Sequence, residues 1–366
     1  MKKLTPSWLF FGTASTCPDI RYATSFAAPD EAIVLSTEHK TVLVVSDMEY
    51  GRALAQARDC EVKCPATLKL AYPESASPAA WALALLIRLK IRTVYVPKMF
   101  PLGVAKVLED NGIAVEVGRD NPFEKMRMVK RPQEIAFIAT AQKAARAAMK
   151  AIGDAIKRAI PGKGGVLMLD GKLLTSERAR EIVRREVLAR DCIDEGTIIA
   201  GGTQAANPHE SGHGPLKTGE WIVCDIFPRS LETGYWGDMT RTFMNGAPTP
   251  EHKRIYNAVR KAQKLALSMI RAGVDGSNVH SAVAKSMEDS NFETYTGNDG
   301  LGRGFIHSTG HGVGLQIHEM PRLSPSGGKL EAGMVVSVEP GLYYPELGGV
   351  RIEDLVVVKE DGVRIL

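Results

Sequence analysis

The 366-residue chain lacks several features that would point to a membrane or a nucleic acid. No apolar run reaches the roughly 18 to 20 residues that a bilayer-spanning helix needs. Net charge is low, because 46 Lys and Arg stand against 42 Asp and Glu, and a charge of +4 argues against a nucleic-acid partner. Two lysines near the start precede only a short apolar stretch at 8–11, about half of a signal-peptide core. We therefore expect a cytoplasmic globular protein with neither a membrane nor a nucleic-acid partner.

Cysteine is also scarce, and its positions do not form a recognisable framework. The five cysteines stand at 17, 60, 64, 192 and 224, an odd number. Only Cys60 and Cys64 are close in sequence, and no second pair or nearby histidine completes a zinc site. These residues are expected to be reduced thiols, in keeping with a cytoplasmic location.

The chain is long enough for roughly two domains, and its texture changes near Asn121-Pro122. Short apolar, β-branched runs at 31–35, 41–47, 93–97 and 113–117 predict strands, and helical patterns lie at 50–58, 78–90 and 101–111. This alternation predicts an α/β domain over 1–121 with a largely parallel sheet. None of its motifs contains a recognisable set of catalytic or ligand-binding residues, so a structural or oligomerisation role is expected.

Residues 122–366 have a repeated pattern of helices followed by strands. Pro132 opens a long helix that ends near Pro161-Gly162, and further helices are predicted at 176–190, 250–273 and 277–289. Strands are predicted at 197–201, 221–227, 238–244, 334–339 and 350–358. The succession of two helices and a pair of strands thus occurs twice, which predicts an α+β domain with approximate internal twofold symmetry. Such symmetry would bring the two strand pairs face to face.

Carboxylates interrupt these otherwise apolar strands. Asp225 and Asp238 are 13 residues apart in the first strand pair, and Glu339 and Glu353 are 14 apart in the second. A buried ionised carboxylate is costly without a compensating cation. The flanking sequence offers chiefly Arg241 and Arg351. One or two divalent metal ions would offset four carboxylates more effectively than these two arginines.

Histidines accompany the carboxylates in a glycine-rich segment. His307, His311 and His318 lie among glycines, and their spacings of 4 and 7 do not match the HExxH pattern of zincins. Upstream, His209 follows Asn207-Pro208 and is the stronger functional candidate, whereas the role of His213 is left open. His252 and His280 fall on predicted helices and are expected to be structural or surface residues. Four carboxylates and one histidine form an oxygen-rich set that admits Mn²⁺, Co²⁺, Fe²⁺ or Zn²⁺. Bridging carboxylates would hold two ions roughly 3.5 to 4 Å apart, the arrangement of a hydrolase.

Five motifs, in order, resemble the creatinase/prolidase-type metallopeptidases. They are the Asn-Pro-His of AANPHE, GDMTRTF, HSTGHGVGLQIHEMP, SVEPGLYYP and GGVRIEDLVVV. The resemblance covers about 124–366, and RYATSFAAPD and LVVSDMEYGRA resemble more weakly the N-terminal domain of the Xaa-Pro branch. It implies a creatinase-like α/β domain over 1–121. The implied catalytic domain, over 122–366, has the α+β pita-bread fold.

The resemblance also implies the residues of the site. It makes Asp225, Asp238, His311, Glu339 and Glu353 the ligands of two divalent ions (Mn²⁺ favoured over Co²⁺ or Zn²⁺), with Asp238 and Glu353 bridging. Glu339 would also be the acid/base group that activates a hydroxide between the ions. His318 would assist the tetrahedral intermediate or move protons. His209 and His307 would line the substrate pocket, His209 also taking part in catalysis, and Arg351 would orient substrate or ligand carboxylates.

The activity implied is cleavage of the peptide bond before proline in a dipeptide or short peptide. The compact N-terminal domain favours an Xaa-Pro dipeptidase, with aminopeptidase P as the alternative and a non-catalytic peptide-binding module as a remote one. A homodimer is implied as well. The two aspartates are usually 11 residues apart in this family, and two additional residues here extend the turn between their strands. An even change keeps the side-chain face of each strand but puts the pocket wall, and so substrate selectivity, in doubt.

Overall fold

The computed structural model describes residues 7–366. The chain divides into two compact units, Met1–Arg127 and Met128–Leu366. The predicted boundary at 121/122, and the assignment of a creatinase-like and a catalytic domain to its two sides, stay predictions. Within the described residues no helix is long and apolar enough to cross a bilayer. The five cysteines are free thiols, as expected.

The first unit is built on one six-stranded sheet. Its strands are β1 (Trp8–Gly12), β2 (Ala32–Ser36), β3 (Thr41–Val44), β4 (Glu61–Lys63), β5 (Thr93–Val96) and β6 (Ala114–Val117). The helices up to the boundary are α1 (Pro18–Thr24), α2 (Asp47–Gln56), α3 (Pro78–Arg88), α4 (Leu102–Asp110) and α5 (Pro122–Met128). The sheet order is β4-β3-β2-β1-β5-β6.

The prediction of a largely parallel sheet was wrong, because this sheet is mixed. The pairs β1–β5, β3–β4 and β5–β6 are parallel, whereas β1–β2 and β2–β3 are antiparallel. Only residues 37–40 join β2 to β3, too few for the crossover that parallel neighbours require. The sequence pattern also missed the central strand β1, whose apolar run is short.

The second unit has four long helices and several small sheets. The helices are α6 (Pro132–Arg158), α7 (Ser176–Leu188), α8 (Pro250–Met269) and α9 (Gly276–Glu288). The strands are β7 (Ile160–Pro161), β8 (Leu167–Leu169), β9 (Lys172–Leu173), β10 (Cys192–Asp194), β11 (Ile198–Gly201), β12 (Trp221–Ile226), β13 (Pro228–Ser230), β14 (Met239–Met244), β15 (Tyr295–Thr296), β16 (Gly302–Arg303), β17 (Gly310–Gly312), β18 (Glu319–Leu323), β19 (Val335–Val338), β20 (Gly341–Tyr344), β21 (Gly348–Arg351), β22 (Asp354–Val358) and β23 (Val363–Ile365). The predicted helices and carboxylate-bearing strands are confirmed, except that the predicted strand 350–358 is broken between β21 and β22.

Two of these sheets carry the functional candidates. One has the order β11-β12-β14, and the other has the order β18-β17-β19-β22-β23. Two hydrogen bonds join β14 to the segment that leads into β22: Glu353 N donates to Thr240 O at 3.0 Å, and Arg351 N, at the end of β21, donates to the Thr242 hydroxyl at 3.0 Å. The two carboxylate-bearing strand pairs therefore lie side by side, and not face to face as the repeated pattern predicted.

Helix α6 lies close to the loop that enters β14. Its buried stripe includes Ile138, Ala145 and Ile152, and Pro132 occupies the first turn, where a missing N–H costs nothing. A Cβ on Gly237 would stand 2.6 Å from the Ala141 carbonyl carbon, so only glycine permits this approach. The neighbouring Asp238 is thereby held against the helix.

Candidate active site

Strand ends carry the predicted ligands into one cavity. Asp225 lies in β12, Asp238 just before β14, His311 in β17, Glu339 just after β19 and Glu353 between β21 and β22. All five line a cavity of about 430 Å³. Its other lining residues are Ile198, Pro208, His209, Phe227, Ile306, His307, Ser308, Ile317, His318, Arg322 and Arg351.

The donor atoms of three predicted ligands converge. One ligand atom from each of Asp238, His311 and Glu353 lies within 4.8 Å of the other two, and all three residues are buried. His311 Nε2 is also 3.2 Å from Glu339 Oε1. The fourth carboxylate, Asp225, is fixed through Oδ2 by a 2.7 Å bond from Arg351. Its Oδ1 is buried and has no hydrogen-bond partner among the described residues.

The orientation of His311 turns one ring nitrogen towards the carboxylates. Its Nδ1 is 3.1 Å from the Gly312 carbonyl, so a proton on Nδ1 is donated there. Nε2 then faces two acceptors, Glu339 at 3.2 Å and Asp238 at 3.7 Å. With Nδ1 so engaged, Nε2 is the ring nitrogen that faces the carboxylates and is available to bind a cation.

The protein's own charges leave the cavity short of positive charge. Burial and the nearby carboxylates of Glu353 and Asp225 raise the pKa of Asp238 well above its usual value. The pKa of Glu353 is raised for the same reasons, burial first and then Glu339 and Asp225. Burial would also raise the pKa of Glu339, but the hydrogen bond and charge of His311, with His307 and Arg351, lower it to about 2. A divalent cation would relieve this excess of negative charge.

These residues fit a metal site. The unpartnered Oδ1 of Asp225, the three converging donor atoms and the raised carboxylate pKa values are each what a cation-binding site requires. Four carboxylates and one imidazole are the donors that borderline and hard divalent ions accept.

Apart from His307 and His311, the five histidines of the second unit divide into two groups, those at the cavity and those elsewhere. His318 stands edge-on to His311, with ring centroids 4.3 Å apart. Burial and His311 lower its pKa to about 4, so its ring is neutral at pH 7. His209 lines the cavity and is exposed. Three others lie elsewhere: His213 is exposed beside Glu210, His252 caps α8, and His280 contacts the Thr309 hydroxyl.

Arg351 is part of a buried hydrogen-bond chain. It donates 2.7 Å to Asp225 and 2.9 Å to the Tyr343 hydroxyl, and this hydroxyl lies 2.8 Å from His307 Nε2. Burial lowers the pKa of His307, although the negative charge of Glu339 opposes this effect. Arg241, the other cation in the sequence pattern, pairs instead with Asp354 at 2.6 Å.

Several residues around the cavity were not predicted from the sequence. Tyr343 lies in the motif SVEPGLYYP, but the alternation of side-chain directions along a strand does not show whether Tyr343 or Tyr344 faces the cavity. Arg322 lines the cavity and is half-buried. No hydrogen bond or ion pair holds its guanidinium within residues 7–366. Nothing in the sequence signals Gln142, whose side-chain amide donates to Asp238 O at 2.8 Å and accepts from Asp238 N at 2.7 Å.

Replacing Gln142 with leucine is expected to lower the free energy of unfolding by about 2 to 4 kcal/mol, because two backbone groups of Asp238 lose their partners in a buried place. Metal affinity should fall as well, since Asp238 loses its anchor. Urea denaturation and a metal titration measure the two effects. Thr140→Val, an exposed change on the same helix, is the control and should shift neither quantity. Unchanged metal affinity in Gln142→Leu would contradict this role.

Comparison with known proteins agrees with this site. A model of metallopeptidase family M24 matches residues 136–360. An Xaa-Pro dipeptidase of Pyrococcus furiosus is 33% identical over 249 residues, which is 68% of this chain and 65% of that protein. A putative Xaa-Pro aminopeptidase of Mycoplasma genitalium is 36% identical over 65% of this chain and 62% of its own length. The match thus spans less than two thirds of either relative.

Solved structures extend the likeness over the whole chain. A prolidase from Pyrococcus horikoshii superposes with a TM-score of 0.81 at 25% identity, covering 99% of this chain and 93% of that one. The pita-bread fold predicted from the motifs is confirmed by this likeness. The match to residues 136–360, together with that fold, shows that the chain belongs to metallopeptidase family M24.

Proposed function

We propose that this protein is a metal-dependent peptidase that hydrolyses the bond before proline, acting chiefly on Xaa-Pro dipeptides. The observation that carries the proposal is the convergence of four carboxylates and His311 on one cavity, in a chain of family M24. The Xaa-Pro dipeptidase among its relatives supports the choice of substrate.

Two divalent ions would be held by Asp225, Asp238, His311, Glu339 and Glu353. When bound, the ions supply Lewis acidity toward the scissile carbonyl and lower the pKa of water so that it ionises near neutrality. Mn²⁺ is our proposed ion, and oxygen-rich ligands are compatible with that choice.

Proton transfer is assigned to this chain's own residues. The carboxylate of Glu339 is ionised at neutral pH and accepts a hydrogen bond from the Ser337 hydroxyl at 3.1 Å. It would take a proton from the attacking water as the new carbon–oxygen bond forms. The same proton would pass to the proline nitrogen as the carbon–nitrogen bond breaks. Neutral His318 would donate a hydrogen bond to the developing oxyanion.

The prolyl end of a dipeptide carries a free carboxylate, for which Arg322 is the proposed partner. Among residues 7–366 no ion pair engages this cavity-lining arginine, in contrast to Arg351, which is committed to Asp225 and Tyr343. His209 and His307 line the same cavity and are proposed to contact the substrate, with His209 also assisting catalysis.

Replacing Arg322 with glutamine is expected to raise KM for Leu-Pro by about 10- to 100-fold, the value of one lost charge-assisted hydrogen bond. Leu-Pro amide, which has no carboxylate, should be cleaved equally by wild type and variant. Steady-state kinetics on both substrates makes the comparison, with the exposed Arg364→Gln as the control. Equal losses on both substrates would contradict carboxylate recognition.

Aminopeptidase P is the second candidate, supported by the Mycoplasma genitalium relative named as a putative Xaa-Pro aminopeptidase. Incubating the metal-loaded enzyme with Leu-Pro and Ala-Pro-Ala separates the two. Cleavage of the dipeptide alone supports the dipeptidase. Preference for the tripeptide, with Leu-Pro left intact, supports the aminopeptidase. A cytoplasmic location and a homodimer complete the proposal and are testable by fractionation and by light scattering.

A further inference from the structure

A buried ion pair holds the turn that carries His318. This turn, residues 314–319, joins β17 to β18, and its Ile317 and His318 both line the cavity. Lys130 Nζ donates to Glu319 Oε1 at 2.7 Å, and the two side chains are only 1% and 6% exposed. The other carboxylate oxygen of Glu319 lies 3.4 Å from Gln316 N, inside the same turn.

Lys130 is itself fixed to the strand layer of this unit. Its backbone N donates to Gly333 O at 3.0 Å, and its neighbour Val129 forms a β-bridge with Met334, just before β19. The ammonium group also donates to Met128 O at 3.3 Å. The ion pair therefore connects the His318 turn to a segment whose backbone is hydrogen-bonded next to β19.

Trp236 holds the start of the same turn. Its backbone N donates to Gly314 O at 3.0 Å, and its indole N–H donates to Leu315 O at 3.2 Å. Trp236 also belongs to the apolar cluster against which Leu315 and Ile317 pack. It stands two residues before Asp238, in the segment between the two aspartates that is longer here than is usual in the family.

We infer that Lys130, Glu319 and Trp236 form a clamp that positions His318 for the proposed reaction. The three are positioning residues, because their contacts are to the turn and not to the cavity. A Cβ on Gly314 would stand 2.3 Å from Glu319 Oε1, so a larger residue there would have to displace the carboxylate from its place in the turn. The expected effect on kcat rests on the proposed function. The expected effect on the structure of the turn rests on the contacts alone.

The test is a double-mutant cycle on the metal-loaded enzyme. Lys130→Met with Glu319→Gln removes both charges together, so neither is left buried alone. We expect kcat for Leu-Pro to fall by about 10- to 100-fold with KM within about twofold, since displacing a catalytic group by an ångström has effects of this size. In a His318→Ala background the same two changes should alter kcat by less than about twofold, since they act through His318. The exposed pair Lys150→Met with Asp154→Asn is the control.

If kcat also fell by about 10- to 100-fold in the His318→Ala background, the inference would be overturned and the pair would have a general structural role. An unchanged kcat in the wild-type background would also overturn it. Trp236→Phe, which removes only the indole donor, should give a smaller loss that also vanishes without His318.

Hydrogen exchange supplies a readout that does not depend on activity. The charge-neutral double variant should exchange faster at 314–319 and at the wild-type rate in β12 and β14. If the wild-type enzyme cuts no Xaa-Pro substrate, the proposed function fails. Hydrogen exchange alone then tests whether Lys130, Glu319 and Trp236 hold the turn. Unchanged exchange at 314–319 would overturn the clamp.

Discussion

Replacing Glu339 with glutamine is expected to lower kcat/KM for Leu-Pro by roughly three orders of magnitude, the middle of the range for loss of an acid/base group. Glutamine matches the size of glutamate but cannot accept a proton, and it is a weaker metal ligand. The wild-type carboxylate is kept ionised because His311, His307 and Arg351 outweigh the effect of burial on its pKa. Steady-state kinetics at saturating Mn²⁺ measures the loss.

The control for this variant is Glu331→Gln, which changes an exposed glutamate shortly before the same strand, β19. It should leave both kcat and KM unchanged. Circular dichroism of Glu339→Gln should match wild type, since the substitution is isosteric. Retention of more than about a tenth of wild-type kcat/KM would contradict the role assigned to Glu339.

Replacing Glu353 with glutamine should have opposite effects on the metal-free and metal-loaded protein. In the metal-free protein, burial and the negative charges of Glu339 and Asp225 already oppose ionisation of Glu353. A neutral amide removes that repulsion, and its oxygen can still accept the hydrogen bond that the Thr240 hydroxyl donates at 2.8 Å. The metal-free variant should therefore melt no lower than metal-free wild type.

Metal should stabilise wild type but not this variant. A ligand at a hundred times its Kd adds about 2.7 kcal/mol to the free energy of unfolding, which raises Tm measurably. Differential scanning calorimetry of both proteins, with and without Mn²⁺, gives the four values needed. Glu360→Gln, exposed beyond β22, is the control and should behave as wild type. A metal-induced rise in Glu353→Gln equal to that of wild type would remove Glu353 from the proposed ligands.

The sequence predicted the carboxylate strands because an acidic residue in an apolar, β-branched run is conspicuous. Asp225, Asp238, Glu339 and Glu353 each interrupt such a run, and the structure brings all four to one cavity. The glycines around His311 likewise indicated a close approach. A Cβ on Gly310 would stand 2.0 Å from Ser337 O, so this strand can pair only because residue 310 is glycine.

Residues whose contact partners are distant in the sequence could not be predicted in this way. Lys130 and Glu319 are 189 residues apart, and Gln142 is 96 residues from Asp238. A lysine or glutamine near the start of a helix looks like a solvated side chain until the partner is known. Arg322, in β18, was missed because a single arginine in a strand has many uses, and only the cavity distinguishes it.

The first unit illustrates a different difficulty. Its short apolar runs predicted strands but not their directions, which depend on connection length and on the unrecognised strand β1. The loop at 37–40 was visible in the sequence, yet the βα alternation on either side favoured a parallel arrangement. Connection length is the better guide where the two conflict.

The most direct test of the proposed function uses protein stripped of metal and reloaded with Mn²⁺, Co²⁺ or Zn²⁺. Hydrolysis of Leu-Pro is followed beside Leu-Ala and Ala-Pro-Ala, with metal content measured on the same samples. We expect no activity without metal and, with about two ions per chain, cleavage of Leu-Pro well above that of Leu-Ala. Absence of Leu-Pro and Ala-Pro-Ala cleavage with every ion, in protein that has bound metal, would contradict Xaa-Pro hydrolysis and favour a peptide-binding role.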